Sequence, residues 1–342
     1  MTAPSIMNSV DSTESAGTPT PAVVPARSPE SGSTESTEPL NSVRVECPAK
    51  TNLTLRVGES RAEWGGRHRL DTIYCGVGIY DTVTVTRKAP GTGFSLELAG
   101  SHLGDLALDH ADMRRNHAVM ALFALAEAAG QSTDVGITLE KRIPVGAGLG
   151  GGSSDAAGTL LALNRLWGLN WPVERLRPIA AKLGADMPFC LAGGLAHGTG
   201  YGEVIETVDA GHPDILPGML GCMVVGAYNT QLSTPDVYRM FDAIGAGTST
   251  DAGVNNAGGT GFTFTANDLQ NAAVTLHPRS GEAIRAALEA GATAAFVSGS
   301  GPSVVACVPD ETVSAAVCRA WINGRHVDRL FETTAPVTPI IS

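Results

Sequence analysis

Apolar residues recur along this chain with two periods, and the switch between them marks out the elements. Alternation or short apolar runs near Val43 to Cys47, Asn52 to Val57, Thr72 to Tyr80, Asp81 to Thr86, Ser95 to Leu98 and Gly136 to Leu139 predict strands. Helical spacing sets in from about Asn116 and again from Ser153, where Ala156, Leu160, Leu163 and Trp167 recur at four, three and four residues. Gly168 ends that helix, and a third runs from Val173 to Leu183. Farther on, the pattern predicts a strand at Met219 to Tyr228 and helices at Pro235 to Ala243, Asp268 to Leu276 and Gly281 to Gly291. A strand pair, Ala294 to Val297 and Val304 to Val308, and a helix at Thr312 to Asn323 complete it. Strands and helices mix without regular strand-helix-strand alternation, which predicts an α+β fold.

Composition narrows the classes. The 342 residues, 43% of them hydrophobic, suffice for two domains around a sizeable core. A formal net charge of -11 with no basic stripe argues against a nucleic-acid partner. Cysteines at 47, 75, 190, 222, 307 and 318 form no Cys-x-x-Cys pair, which favours a reduced, cytoplasmic protein without a cysteine metal site. The apolar run from Met219 to Ala227 is too short and glycine-broken to span a bilayer, so no membrane is expected. A monomer or weak homodimer is the expectation. Residues 1 to 42, rich in Ser, Thr, Pro and Glu, read as a disordered tail without the features of a signal or transit peptide. Ala243 to Thr265, irregular in Gly, Thr, Ala and Asn, reads as a mobile loop.

The most informative stretch is Pro144-Val145-Gly146-Ala147-Gly148-Leu149-Gly150-Gly151-Gly152-Ser153-Ser154-Asp155. Its five glycines let successive N–H groups converge on an anion, and the helix that follows, capped by Ser153, Ser154 and Asp155, points its positive end at the same place. Gly146-x-Gly148-x-x-Gly151 imitates a dinucleotide fingerprint, but Glu140-Lys141-Arg142 interrupts the approach and no strand-end acid follows about 20 residues on. No Lys-Ser or Lys-Thr follows the glycines, which excludes a Walker A loop. A non-Walker nucleoside triphosphate loop is the reading preferred over a merely structural glycine turn.

Four further constellations bear on chemistry: Pro48-Ala49-Lys50-Thr51-Asn52, Gly65-Gly66-Arg67-His68, Gly184-Ala185-Asp186-Met187-Pro188 and Ser298-Gly299-Ser300-Gly301-Pro302. Taken singly, Lys50 reads as a solvated lysine, Asp186 as a turn aspartate, His68 as a structural histidine and the Ser/Gly loop as a turn.

Their joint order resembles the GHMP kinase superfamily across residues 43 to 335. Within it, Pro48 to Asn52, Gly66-x-His68, the triple glycine before Ser153 and Gly184-Ala185-Asp186 resemble the branch whose acceptor is a cytidine-diphosphate-linked methylerythritol. The resemblance implies a ribosomal-protein-S5-like domain over 43–205 carrying ATP, and a ferredoxin-like domain over 206–342. ATP's γ-phosphoryl would pass to the acceptor's 2-hydroxyl, with Asp186 as base and Lys50 orienting it and offsetting charge. Pro144 to Ser154 would hold the phosphates with Mg²⁺, whose ligands stay unassigned, and Asn116 would lie by the adenosine. Asn52 would meet the methylerythritol hydroxyls, His68 the cytosine edge, and Thr234 and Tyr238 the base, Tyr238 by stacking. Asp155 reads as a helix cap or a site residue. The family's usual Gly-Tyr-His reads Gly66-Arg67-His68 here, leaving the Arg67 guanidinium plane to stack on the base. A different small-alcohol kinase, a decarboxylase, or a non-catalytic binding protein on the same fold are the other readings. Alanine at His68 would leave the first of these unchanged.

Overall fold

Long β-branched and apolar runs on the first 60 described residues build the floor of the molecule. The computed structural model describes residues 40–100, 113–245 and 267–342; of the expected tail over 1–42 and the expected loop over 243–265, residues 1–39 and 246–265 lie outside them, while Ser42 belongs to a strand and Ala243 and Ile244 to a helix. Strand β1 (Ser42–Arg61) pairs along its whole length with antiparallel β2 (Arg67–Arg87). The sequence predicts two strands in each of these stretches, because Pro48 and the Tyr80-Asp81 step read as breaks. Instead Pro48 sits at a register shift, a bulge where a strand tolerates a residue without an N–H.

β3 (Ser95–Gly100), α1 (His117–Ala129) and β4 (Val135–Lys141) follow, then α2 (Gly151–Leu166), α3 (Val173–Leu183) and the short α4 (Met187–Cys190). β5 (Leu195–Thr199) and β6 (Val204–Thr207) complete the first part. A second stretch runs β7 (Gly221–Ala227), α5 (Thr234–Ile244), α6 (Gln270–Leu276), α7 (Pro278–Glu289), β8 (Ala294–Val297), β9 (Val304–Cys307), α8 (Glu311–Gly324), β10 (Arg329–Ala335) and β11 (Ile340–Ile341). β11-β1-β2-β4-β3, with β5 on β2 and β6 on β5, make a seven-stranded sheet, and β10-β7-β9-β8 a four-stranded one. Among the named strands of the described residues only the β3–β4 pair is parallel, which places the fold in the α+β class. β4, β5, β6, β10, β11 and α4 were in part or wholly unread, being short or mixed in polarity.

Three apolar cores hold this together. In the first, Leu122 and Leu125 of α1 and Leu160 and Leu163 of α2 pack on Val83, Val85, Ile137 and Leu139. The second joins the sheets, with Leu53, Ile73 and Val77 against Val225, Phe296 and Val305, and it includes Ala147 and Leu149 of the glycine loop. Trp321 anchors the third, its indole N–H donating to the Ala283 carbonyl at 2.8 Å. Burying such side chains contributes roughly 1.5–3 kcal/mol each, and through Ala147 and Leu149 the glycine loop is fastened into the second core. Among the described residues no helix is long and apolar enough to cross a membrane.

Candidate active site

β4 ends at Lys141, and the chain then crosses the end of α2 as the glycine loop. Gly146, Gly148 and Gly150 all take left-handed backbone, φ +67°, +78° and +70°. A Cβ on Gly148 would collide with the Ser298 carbonyl, and one on Gly150 would lie 2.6 Å from the Lys50 side chain, so both positions need glycine twice over. The loop is pinned from outside: Lys50 N donates to Leu149 O at 2.9 Å, and the Ser298 hydroxyl donates to Gly148 O at 3.0 Å. Helix α2 starts at Gly151, with Gly150 as its cap residue, two residues earlier than expected. Ser153, Ser154 and Asp155 are therefore inside the first turns, not caps. Ser153 faces the cleft; Ser154 is buried, its hydroxyl donating to Pro48 O at 2.7 Å.

Facing this loop, Lys50 Nζ lies 3.1 Å from Asp186 Oδ2 and donates to Asn52 Oδ1 at 2.9 Å. Lys50 and Asn52 sit two residues apart on β1 and so share a face. Lys50 is buried at 5% exposure, whereas the residue type alone suggested solvent. Asn52 Nδ2 donates to Thr72 Oγ1 at 2.8 Å, so the amide is locked and in turn positions the ammonium. Asp186 precedes α4, where Gly184 has ended α3 and Pro188 starts the next turn.

A cleft of about 950 Å³ connects these groups. Pro144, Val145, Gly146, Ala147, Gly148, Gly150, Gly151, Gly152 and Ser153 line it together with Lys50, Asn52, Asp186, Asn116, His68, Thr234 and Tyr238. Leu149 is buried beneath the loop. Asn116 caps α1, accepting from Ala118 N at 2.9 Å. At the other end, the His68 ring stacks on Tyr238 with centroids 5.1 Å apart, Nδ1 lies 2.8 Å from Gly58 O, and Nε2 lies 3.5 Å from Asp242 Oδ1. Burial, then Asp186, push the Tyr238 phenol well above its usual range. Thr234 Oγ1 and Ser300 Oγ lie 2.9 Å apart, joining α5 to the Ser/Gly loop.

The chain is similar to known proteins in both sequence and fold. The GHMP kinases N terminal domain profile matches residues 116–194 and the GHMP kinases C terminal profile residues 252–326. A relative from Bifidobacterium adolescentis, 4-diphosphocytidyl-2-C-methyl-D-erythritol kinase, is 60% identical over 89% of this chain and 96% of its own. The chain belongs to the 4-diphosphocytidyl-2-C-methyl-D-erythritol kinase family of GHMP kinases. A Mycobacterium tuberculosis relative of the same name is 38% identical over 87% of this chain and 92% of its own. A crystal structure of 4-(cytidine 5'-diphospho)-2C-methyl-D-erythritol kinase superposes with TM-score 0.63 at 30% identity, covering 86% of this chain and 99% of that one. A homoserine kinase from Cytophaga hutchinsonii, 18% identical with TM-score 0.65 over 91% of this chain and all of that one, shares the fold.

Several residues of this GHMP kinase cleft escaped sequence reasoning. Lys141, 1% exposed, pairs with Asp81 and, at 2.6 Å, with Asp155, under the first turn of α2. Asp81 also accepts from the Arg142 and Ile143 amides at 2.5 and 2.8 Å, fixing the entry to the glycine loop. Burial raises the Asp155 carboxyl to about 7, Lys141 pulling against it and Asp81 adding to it. Lys141 itself is held above its ordinary value: burial opposes its charge, and Asp155 and Asp81 outweigh that. The interruption by Glu140-Lys141-Arg142 was the signal, visible only as charge in an apolar setting. Asn267, whose amide donates to Val297 O and Gly299 O at 2.8 Å each, shapes the Ser/Gly loop from a position with no motif around it. Arg67 lies over the Tyr201 ring at 4.6 Å, and Tyr201 meets Trp64 edge-on at 5.8 Å.

Proposed function

We propose that this cleft transfers the γ-phosphoryl group of ATP to the 2-hydroxyl of 4-diphosphocytidyl-2-C-methyl-D-erythritol, giving the 2-phosphate and ADP in the non-mevalonate route to isoprenoid precursors. The observation that carries it is the Lys50–Asp186 pair, 3.1 Å apart, facing a left-handed glycine loop within one cleft. An alcohol attacks poorly while protonated, and Asp186 is the carboxylate placed to accept its proton as oxygen bonds to phosphorus. The bond from the γ-phosphorus to the bridging oxygen breaks, ADP leaves, and Asp186 returns the proton to solvent. Lys50 keeps Asp186 oriented and offsets charge on the transferring group.

The triphosphate fits the loop, since Gly146, Gly148, Gly150, Gly151 and Gly152 line the cleft without side chains, and Gly146, Gly148 and Gly150 hold left-handed backbone of the kind that turns successive N–H groups toward one anion. Mg²⁺ fits too. The Asp155 Oδ1 atom has no hydrogen-bond partner, and Asp155 and Ser153 both line the cleft. Such an ion sits chiefly on phosphate oxygens with one or two protein donors, and it would offset charge between the β- and γ-phosphates. Asn116 would adjoin the adenosine, Asn52 the acceptor's methylerythritol hydroxyls, and His68, Tyr238 and Thr234 the cytidine end.

The same reading divides the chain into a tail over 1–42, an ATP-binding domain over 43–205 and a second domain over 206–342. It supports a cytoplasmic monomer or weak homodimer that draws on soluble ATP and binds no nucleic acid. Asp186→Asn tests it: the variant should bind both substrates and lose turnover by orders of magnitude, with the wild-type product carrying a new phosphomonoester on C2 by phosphorus NMR. Near-full turnover in the variant would remove Asp186 as the base.

A further inference from the structure

Asp186 has two carboxylate oxygens, and both are held. Lys50 takes Oδ2 at 3.1 Å, and the hydroxyl of Tyr74 donates to Oδ1 at 3.0 Å. We propose that Tyr74 is the positioning residue of the catalytic base, fixing the plane of the Asp186 carboxylate so that its remaining lone pair meets the acceptor hydroxyl. The inference rests on Asp186 being the base.

Tyr74 lies in β2, 1% exposed, with its ring stacked on Phe189 of α4 at 4.9 Å and 19° between planes. A buried tyrosine hydroxyl needs an acceptor, and here the first acceptor is the one group whose orientation the reaction depends on. The Gly202 carbonyl, at 3.4 Å, is a poorer one. Gly202 has φ +109°, and a Cβ there would lie 2.6 Å from the Tyr74 hydroxyl, so the turn between β5 and β6 is shaped around that oxygen. The residue before it, Tyr201, carries the Arg67 guanidinium at the cleft rim. One hydroxyl therefore ties the base to the turn that forms the far wall. A misplacement of the base by a fraction of an ångström is costly, because proton transfer needs hydrogen-bond distance and alignment.

The groups around Asp186 are Lys50 of β1, Tyr74 of β2, Cys190 of α4 and Tyr238 of α5. Burial and then Asp186 hold the Tyr74 phenol well above its usual range, so it is a neutral donor at every working pH. Its hydrogen bond holds one carboxylate oxygen in place, and its loss must show in kcat rather than in KM.

The test is Tyr74→Phe beside Asp186→Asn, in the full chain with Mg-ATP and the cytidylyl acceptor. Tyr74→Phe keeps the ring stack on Phe189. kcat should fall about 10-fold with KM for both substrates within about twofold. An unchanged kcat would overturn the proposal, as would a rise in KM that accompanies the fall in kcat, which is the signature of a merely structural residue. If the variant does not fold, site-specifically encoded 3-fluorotyrosine at position 74, which keeps the ring stack and alters only the hydroxyl as a donor, should change kcat with KM fixed; an unaltered kcat overturns it equally. Asp186→Asn separates the two levels: full turnover there removes the base itself, whereas an inactive Asp186→Asn with an unaltered Tyr74→Phe removes only Tyr74's role.

Discussion

Lys50→Met separates the catalytic from the structural part of the Lys50–Asp186 pair. Methionine keeps most of the stem that packs beside Gly150, where a Cβ would be 2.6 Å from Lys50 Cγ, and deletes only the ammonium. Two acceptors lose a donor: Asp186 Oδ2 at 3.1 Å and Asn52 Oδ1 at 2.9 Å. Breaking a fully buried ion pair typically costs about 3–5 kcal/mol. Here the Asp186 side chain is 30% exposed and keeps the Tyr74 donor, so its charge is not stranded. The stability loss should therefore be at most about 2 kcal/mol, a fall in Tm of about 5 °C or less for a chain of this size. Turnover should fall much further, since removing one preorganised donor to developing charge typically lowers kcat about 10²–10³-fold. Scanning calorimetry and initial-rate ADP release on the same preparation measure both. A folded Lys50→Met enzyme within threefold of wild-type kcat would refute the reasoning, and so would a rate loss that merely follows unfolding.

Three further outcomes follow from the same geometry. Gly148→Ala should raise the Kd for ATP at least about 10-fold by titration calorimetry, through left-handed strain and the Ser298 carbonyl; Gly168→Ala, left-handed but with open space around it, should lower Tm and leave ATP affinity intact. Asp155→Asn should flatten the pH dependence of stability. A folded carboxyl raised to about 7 from 3.8 contributes stability that is fully present below pH 3.8 and is lost as pH rises through 7. Wild type should therefore lose Tm relative to the variant between pH 5 and pH 8, and parallel curves would contradict the buried-charge assignment. Arg67→Ala should raise KM for the cytidylyl acceptor about 10-fold without touching KM for ATP, and Arg67→Lys should fail to restore it if the planar guanidinium over Tyr201 is what matters.

Local signals carried much of this site. Glycine spacing and the proline-fixed turn after Asp186 were legible because glycine and proline constrain the backbone at their own positions, whereas Lys50 and Asp186, singly a solvated lysine and a turn aspartate, stood out only through the family resemblance. The ranges of α3, β8 and β9 were legible from periodicity, with apolar positions that fall in the cores. What the sequence hid was pairing over distance. Pro48 looked like a strand end, yet β2 accommodates it as a bulge. Tyr74 looked like one more apolar strand residue, and only folding brings it within 3.0 Å of Asp186, 112 positions away. Asp155 and Ser154 looked like caps, and the earlier helix start turned one toward Lys141 and the other toward Pro48. Burial of Lys50 and Lys141 could not be read from residue type, because both are held by acids supplied from other segments.

The measurement that bears most directly on the account is ADP release by the full chain with Mg-ATP and 4-diphosphocytidyl-2-C-methyl-D-erythritol, run beside mevalonate, homoserine and galactose. The account predicts turnover on the cytidylyl alcohol alone, reduced by His68→Ala. Turnover on another alcohol, untouched by His68→Ala, would contradict the cytidine end of the cleft, and no turnover on any would contradict the phosphoryl transfer itself.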